Sequence, residues 1–170
     1  MTARGIAVRV AAPAWRRAVP NVTAKVRRWA AAALASGTGP GAGEVTVVLA
    51  GDALVHRLNR TYRGKDKPTN VLSFPAGGGP AGTGHASEQP LGDIVIALET
   101  TRAEARAAGK SLADHLAHLV IHGVLHLLGH DHVRPGPARR MERLEVLLLA
   151  RLGIADPYVV APGFVESRRA

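Results

Sequence analysis

Residues 116–132 read LAHLVIHGVLHLLGHDH, and this stretch constrains the fold most, because it specifies a helix, its end and the return of the chain. Leu116, Leu119, Val120, Val124, Leu127 and Leu128 recur at helical intervals. Among them His122 and His126 stand four residues apart. Side chains at that spacing leave a helix on one face, so both imidazoles can reach one ion with bonds of about 2.0–2.1 Å. His118 lies four residues before His122, but i and i+8 on a straight helix are separated by roughly 12 Å. One ion cannot bridge that distance, so a third ligand must come from chain that turns back. Gly129 stands where a helix can end through a left-handed residue, and His130, Asp131 and His132 follow it.

The spacing His122, His126, His132 is H-x3-H-x5-H, which is also the ligand spacing of the metzincin zinc peptidases. Those enzymes carry Glu directly after the first histidine as general base. Here the position is Gly123. A peptidase mechanism therefore lacks its proton acceptor, and the small residue indicates close packing of the helix or room for substrate. Three neutral imidazoles leave an ion its +2 charge and an open position, where water approaches a pKa of about 7. Such a site can polarise a phosphoryl oxygen or supply hydroxide. The chain contains no cysteine, which removes disulfides, thiolate zinc sites and thiol nucleophiles together.

Patterns on either side frame this helix. GIAVRVA (5–11), EVTVVLA (44–50), NVLSFPA (70–76) and LGDIVIALE (91–99) read as strands. VTAKVRRWAAAALA (22–35) reads as a helix. GDALVHRLNRTYR reads as another, with Asp52 as N-cap and Leu54, Leu58 and Tyr62 on one face. Residues 100–128 are helical in pattern, as two helices meeting near Gly109, and a last helix covers 137–152 before a tail of weak signal. The Gly-rich connection 77–90 reads as a hairpin tip or flap. This order predicts an α+β domain, a four-stranded mixed sheet covered by about five helices, with the third and fourth strands pairing as a long hairpin and the His-rich helix at the cleft. A chain of 170 residues fits one such domain.

The formal net charge is +9, unevenly placed. Residues 1–43 hold seven basic side chains and no acidic one; Arg57, Arg60, Arg63, Lys65 and Lys67 form a second set, and Arg134, Arg139, Arg140 and Arg143 a third. Fields of this sign attract polyanions, nucleic acid first. The first residues do not read as a secretory signal. No window reaches the ~18 apolar residues that span a bilayer. A cytoplasmic protein without membrane partners is the expectation.

LNRTYRGKDKPTNVLSFP (58–75) and LGDIVI (91–96), followed by the histidine motif, make three motifs in order. With them the chain resembles the YbeY family of bacterial metal-dependent endoribonucleases, by motif over residues 44–150 and toward the ends by topology. The resemblance implies a single domain over 1–170 that cleaves single-stranded RNA in rRNA maturation, at the 3′ end of 16S rRNA, and in ribosome quality control. Its partners would be rRNA and the small ribosomal subunit or associated proteins. It implies His122, His126 and His132 as ligands of one divalent ion, zinc, and Arg63 in YRGKD as a catalytic arginine facing the metal cleft. One departure stands out: the family carries Tyr where this chain has His130, so a fourth imidazole rivals His132. The x5 spacing favours His132, since His130 would need the turn to close two residues earlier.

Asp131 is open between orienting an imidazole N–H and stabilising a turn. Thr69 and Asn70 shape a turn into the third strand, with a cleft-lining role open, Asp93 is structural, and His56, His85 and His115 are surface or core residues. Two other functions share the histidines. A zinc-dependent peptidase or amide hydrolase needs a carboxylate base, for which Asp131, Asp93 and Glu99 are the candidates. A non-catalytic ribosome- or RNA-binding factor would hold a structural zinc in a closed four-ligand site, for which His130 supplies a fourth imidazole.

Overall fold

Strand side chains alternate between two faces, and here each face meets its own helices. The computed structural model describes residues 5–37, 43–76 and 90–159. In chain order these form β1 (Ile6–Val10), α1 (Ala14–Ala18), α2 (Val22–Ala35), β2 (Glu44–Ala50), α3 (Asp52–Arg63), β3 (Val71–Pro75), β4 (Pro90–Ala97), α4 (Leu98–Ala107), α5 (Leu112–Leu127) and α6 (Pro135–Arg151). The sheet order is β1-β2-β4-β3. β1, β2 and β4 run parallel, and β3 pairs antiparallel with β4, Val71 opposite Ile96 and Pro75 opposite Gly92. The mixed four-stranded sheet is therefore as expected. The expected flap at 77–90 falls almost wholly on residues 77–89, outside the described residues.

Val45, Val47, Leu49, Ile94 and Ile96 point to one face and join Val26, Trp29, Leu116, Val120, Ile121, Val124 and Leu149 in the larger core. Their alternates Ala50, Val95 and Ala97 point the other way, with Leu72, Phe74 and Val55. α5 thus lies between the sheet and the outer helices, which is why its sequence is apolar on more than one side. Gly123 is buried against β4: a Cβ there would lie 3.0 Å from two side-chain carbons of Ile94. Between the two readings of this glycine, close packing is the one observed.

Six helices occur among the described residues rather than about five. The extra one, α1, has five residues, too few for a periodic pattern, and is docked by Trp15, whose buried indole Nε1–H donates to the Ala50 carbonyl at 2.8 Å. Gly51, not Asp52, is the N-cap of α3. Asp52 instead accepts the backbone N–H of Thr100 at 3.0 Å and its hydroxyl at 2.8 Å, while Glu99 accepts the Asp52 N–H at 2.7 Å. Each carboxylate satisfies free donors at the start of the other's helix. Of the expected α3 face, Leu54 and Leu58 pack partly buried against the smaller core, and Tyr62 is exposed but meets Phe74 edge-on at 5.5 Å; the fully buried residues of α3 are Val55 and Asn59. No helix among the described residues is long and apolar enough to cross a membrane.

Candidate metal centre

α5 presents four histidines along one stripe, His115, His118, His122 and His126, with successive ring centroids 6.3, 6.2 and 4.7 Å apart. The helix then stops in a glycine motif. The N–H of Gly129 donates to the His126 carbonyl and that of His130 to the Leu125 carbonyl, both at 3.0 Å, with Gly129 at φ 98°. This pair of bonds satisfies the last carbonyls and redirects the chain. Asp131 then accepts the Val133 N–H at 2.8 Å and Arg134 Nε at 2.7 Å. The Arg134 hydrogen bond, with that of Val133, holds the Asp131 carboxyl down at about 2. Asp131 is a turn residue, hydrogen-bonded to Val133 and Arg134.

The turn carries His132 back over the helix. Its ring centroid lies 4.4 Å from His126 and 5.5 Å from His122. One ring nitrogen from each of His122, His126 and His132 lies within 4.8 Å of the others. His130 is not in this group, and its N–H serves the helix end. Burial, reinforced by His122 and His132, lowers the pKa of His126 to about 4, so its lone pair is free at neutral pH. A neutral, nitrogen-only donor set suits a divalent ion such as zinc, whose tetrahedral ligand atoms stand about 3.3–3.4 Å apart.

These imidazoles form one wall of a cleft of about 570 Å³ whose other lining includes Asn59, Arg63, Lys65, Lys67, Asn70 and Ser73. Local structure explains the cations. α3 ends at Gly64, φ 66°, and the buried Asn59 side chain donates to the Lys67 carbonyl at 2.8 Å, folding the basic loop back along the helix end. Arg63 Nη2 donates to the Ser73 carbonyl at 2.6 Å and lies 5.6 Å from the Phe74 ring centroid. Asn70 accepts the Val71 N–H at 2.7 Å and donates to Glu104 at 2.9 Å, so it shapes the entry to β3 and also lines the cleft. None of the described basic residues of 1–43, Arg9, Arg16, Arg17, Lys25, Arg27 and Arg28, lines it.

Beneath the cluster lies a residue that the sequence reading did not single out. Glu145 of α6 is fully buried and accepts His122 Nδ1 at 2.5 Å, His118 Nε2 at 3.0 Å and the Tyr158 hydroxyl. Burial alone would raise its pKa, but these hydrogen bonds outweigh that and hold it down at about 2. His56 pairs with Asp66 at 2.7 Å and His115 with Glu104 at 2.8 Å; His85 lies outside the described residues. Asp93 is buried in β4, and Glu99 is engaged in the α3 cap.

Fold and site together define a class: an α+β protein that presents a three-histidine cluster at the wall of a cationic cleft. The family model described as endoribonuclease YbeY matches residues 12–153. An endoribonuclease YbeY of Paramagnetospirillum magneticum is 52% identical over 155 residues, covering 90% of this chain and 94% of that protein. One from Alkalilimnicola ehrlichii is 53% identical over 150 residues, covering 85% and 86%. A solution structure of a Thermotoga maritima protein shares the fold, with a TM-score of 0.52 at 22% identity, covering 91% of this chain and 99% of that one. The chain belongs to the YbeY family.

Proposed function

We propose that this chain is a metal-dependent endoribonuclease in which His122, His126 and His132 hold one divalent ion, zinc by the chemistry of the donors. The observation that carries the reading is the placement of three converging imidazoles opposite Arg63, Lys65 and Lys67 in one cleft. A divalent ion so held supplies Lewis-acid stabilisation of a phosphoryl oxygen and lowers the pKa of water. The chain's own groups do the rest. Lys65 and Lys67 attract successive phosphates of a single strand. Arg63 brings a planar fork of donors to the negative charge that develops on phosphorus. Its Nη2 bond to the Ser73 carbonyl fixes the guanidinium plane beside β3. The whole of residues 1–170 is proposed to act as one such domain.

The substrate proposed is rRNA in the cytoplasm, with maturation of the 16S 3′ end and ribosome quality control as the process and the small subunit as the partner, a reading supported by the resemblance of the three motifs to the family. A peptidase is disfavoured because Gly123 is pressed on Ile94 and none of Asp131, Asp93 or Glu99 lines the cleft. A closed structural site is disfavoured because His130 stands outside the three-nitrogen group. Purified protein incubated with unstructured RNA, structured RNA and casein tests the reading. Cleavage of unstructured RNA that is lost on chelation and in His126→Ala and Arg63→Ala is expected. Undiminished RNA cleavage by His126→Ala, or casein hydrolysis in its place, would refute it.

A further inference from the structure

We infer that Glu145 is a positioning residue for the metal centre: it takes the Nδ1–H of His122 so that Nε2 is the atom left for the ion, while His118 and Tyr158 lock the carboxylate. The inference rests on the proposed reading of His122, His126 and His132 as ligands. Glu145 is 0% exposed. A carboxylate withdrawn from water must be compensated by donors, and three side chains supply them. Oε1 receives His122 Nδ1 at 2.5 Å, and Oε2 receives His118 Nε2 at 3.0 Å together with the Tyr158 hydroxyl.

Two consequences follow for His122. An ionised carboxylate only accepts, so the nitrogen facing it carries the proton, and the lone pair of the neutral ring falls on Nε2. The hydrogen bond also fixes the ring orientation, because a flip would set a carbon against Oε1. His118 is then a holder rather than a ligand. Although nitrogens of His118 and His122 and an oxygen of Glu145 also lie within 4.8 Å of one another, separations of 2.5 and 3.0 Å leave room for protons, not for an ion.

The lock extends to the segment after α6. Tyr158 meets His118 edge-on at 5.4 Å, and Lys110 Nζ donates to the Pro157 carbonyl at 2.5 Å. The end of the described chain is thereby pinned beside His118 and Glu145.

The test uses the full chain. Histidine tautomers are read in metal-free protein by long-range ¹H–¹⁵N NMR, and zinc affinity by competition with a chromophoric chelator. Wild type is expected to hold His122 as the Nδ1–H tautomer. Glu145→Gln is expected to bind zinc about 10- to 100-fold more weakly, the usual cost of losing an outer partner of a metal-bound histidine. Tyr158→Phe is expected to lose affinity by a smaller factor, with unchanged circular dichroism. An Nε2–H tautomer at His122 in wild type would overturn the inference, as would zinc affinities of both variants equal to wild type. If Glu145→Gln does not fold, the wild-type tautomer and Tyr158→Phe decide. An Nδ1–H tautomer in a wild-type protein with no more zinc affinity than His126→Ala would instead overturn the ligand reading, and with it the purpose assigned to Glu145.

Discussion

Replacing Gly123 with Ala separates packing from substrate contact at the residue after the first histidine. The new Cβ would lie 3.0 Å from Ile94 Cδ1 and Cγ2 and 3.1 Å from Cγ1, well inside the favourable carbon–carbon separation of about 3.5–4.0 Å. Ile94 is fully buried in β4 and cannot swing into solvent. Overpacking of this kind costs about 1–3 kcal/mol, while the better helix propensity of Ala returns about 0.8–1.0 kcal/mol. Gly123→Ala alone should therefore destabilise by about 0–2 kcal/mol. The decisive quantity is its dependence on Ile94. Ile94→Ala removes all three contacted carbons, at about 2–5 kcal/mol, and in that background Gly123→Ala should stabilise, because only the propensity gain remains. Urea unfolding of the four metal-free proteins, followed by circular dichroism, gives the coupling, expected at about 1–3 kcal/mol. A coupling below about 0.5 kcal/mol, the range of simple additivity, would refute the packing argument. A coupling below that limit in a Gly123→Ala protein that also cleaves RNA poorly would make the glycine a substrate contact.

Three further outcomes follow from the same geometry. Unfolded His126 titrates near 6.5 and the folded residue at about 4, so between these values the unfolded chain binds more protons and metal-free stability falls as pH is lowered. Discounted for partial exposure the loss is about 1–2 kcal/mol, read from unfolding midpoints at several pH values, and a flat profile through that window would contradict it. Arg63→Ala should slow single-turnover RNA cleavage about 10²- to 10³-fold, whereas Lys65→Ala and Lys67→Ala should each lower the slope of log affinity against log salt by about 0.7. Cleavage by Arg63→Lys equal to wild type would show that the planar fork is not needed. His130→Tyr should leave the zinc content of the purified protein unchanged and His132→Ala should lower it; the reverse pattern would make His130 the third ligand.

The elements legible in the sequence are those whose signal is local. β2 and α2 are found where the β-branched alternation and the Ala-rich helix pattern place them. Gly109 separates α4 from α5 at φ 65°. Gly129 ends α5 in a left-handed turn because nothing but its own backbone is needed to form that motif. What escaped depends on partners distant in the chain. α1 exists because Trp15 finds the Ala50 carbonyl, 35 residues away. Asp52 looked like a cap for its own helix and instead serves the start of α4, 48 residues on, because the two helix starts meet where β2 and β4 end side by side. α3 turns Val55 and Asn59 inward since the loop after it needs the Asn59 amide, a requirement that apolar periodicity cannot express.

The site divides the same way. One helical turn brings His122 beside His126, and the glycine motif returns His132, so that cluster was legible from spacing. Glu145 was not, because its partners His118 and His122 lie 27 and 23 residues earlier. Yet α6 carried a signal. Met141, Leu148 and Leu149 are its buried apolar residues, and Glu145 lies between them at i+4, i+7 and i+8 spacing, on the stripe that faces the core. A carboxylate on such a stripe cannot be solvated, so it must be met by donors from the helix it packs on. α5 is apolar on that flank except for its histidines. A Glu in the core stripe of one helix, facing a histidine stripe on its neighbour, is therefore a sequence-readable sign that imidazoles of that stripe donate to the carboxylate, as His118 and His122 do here.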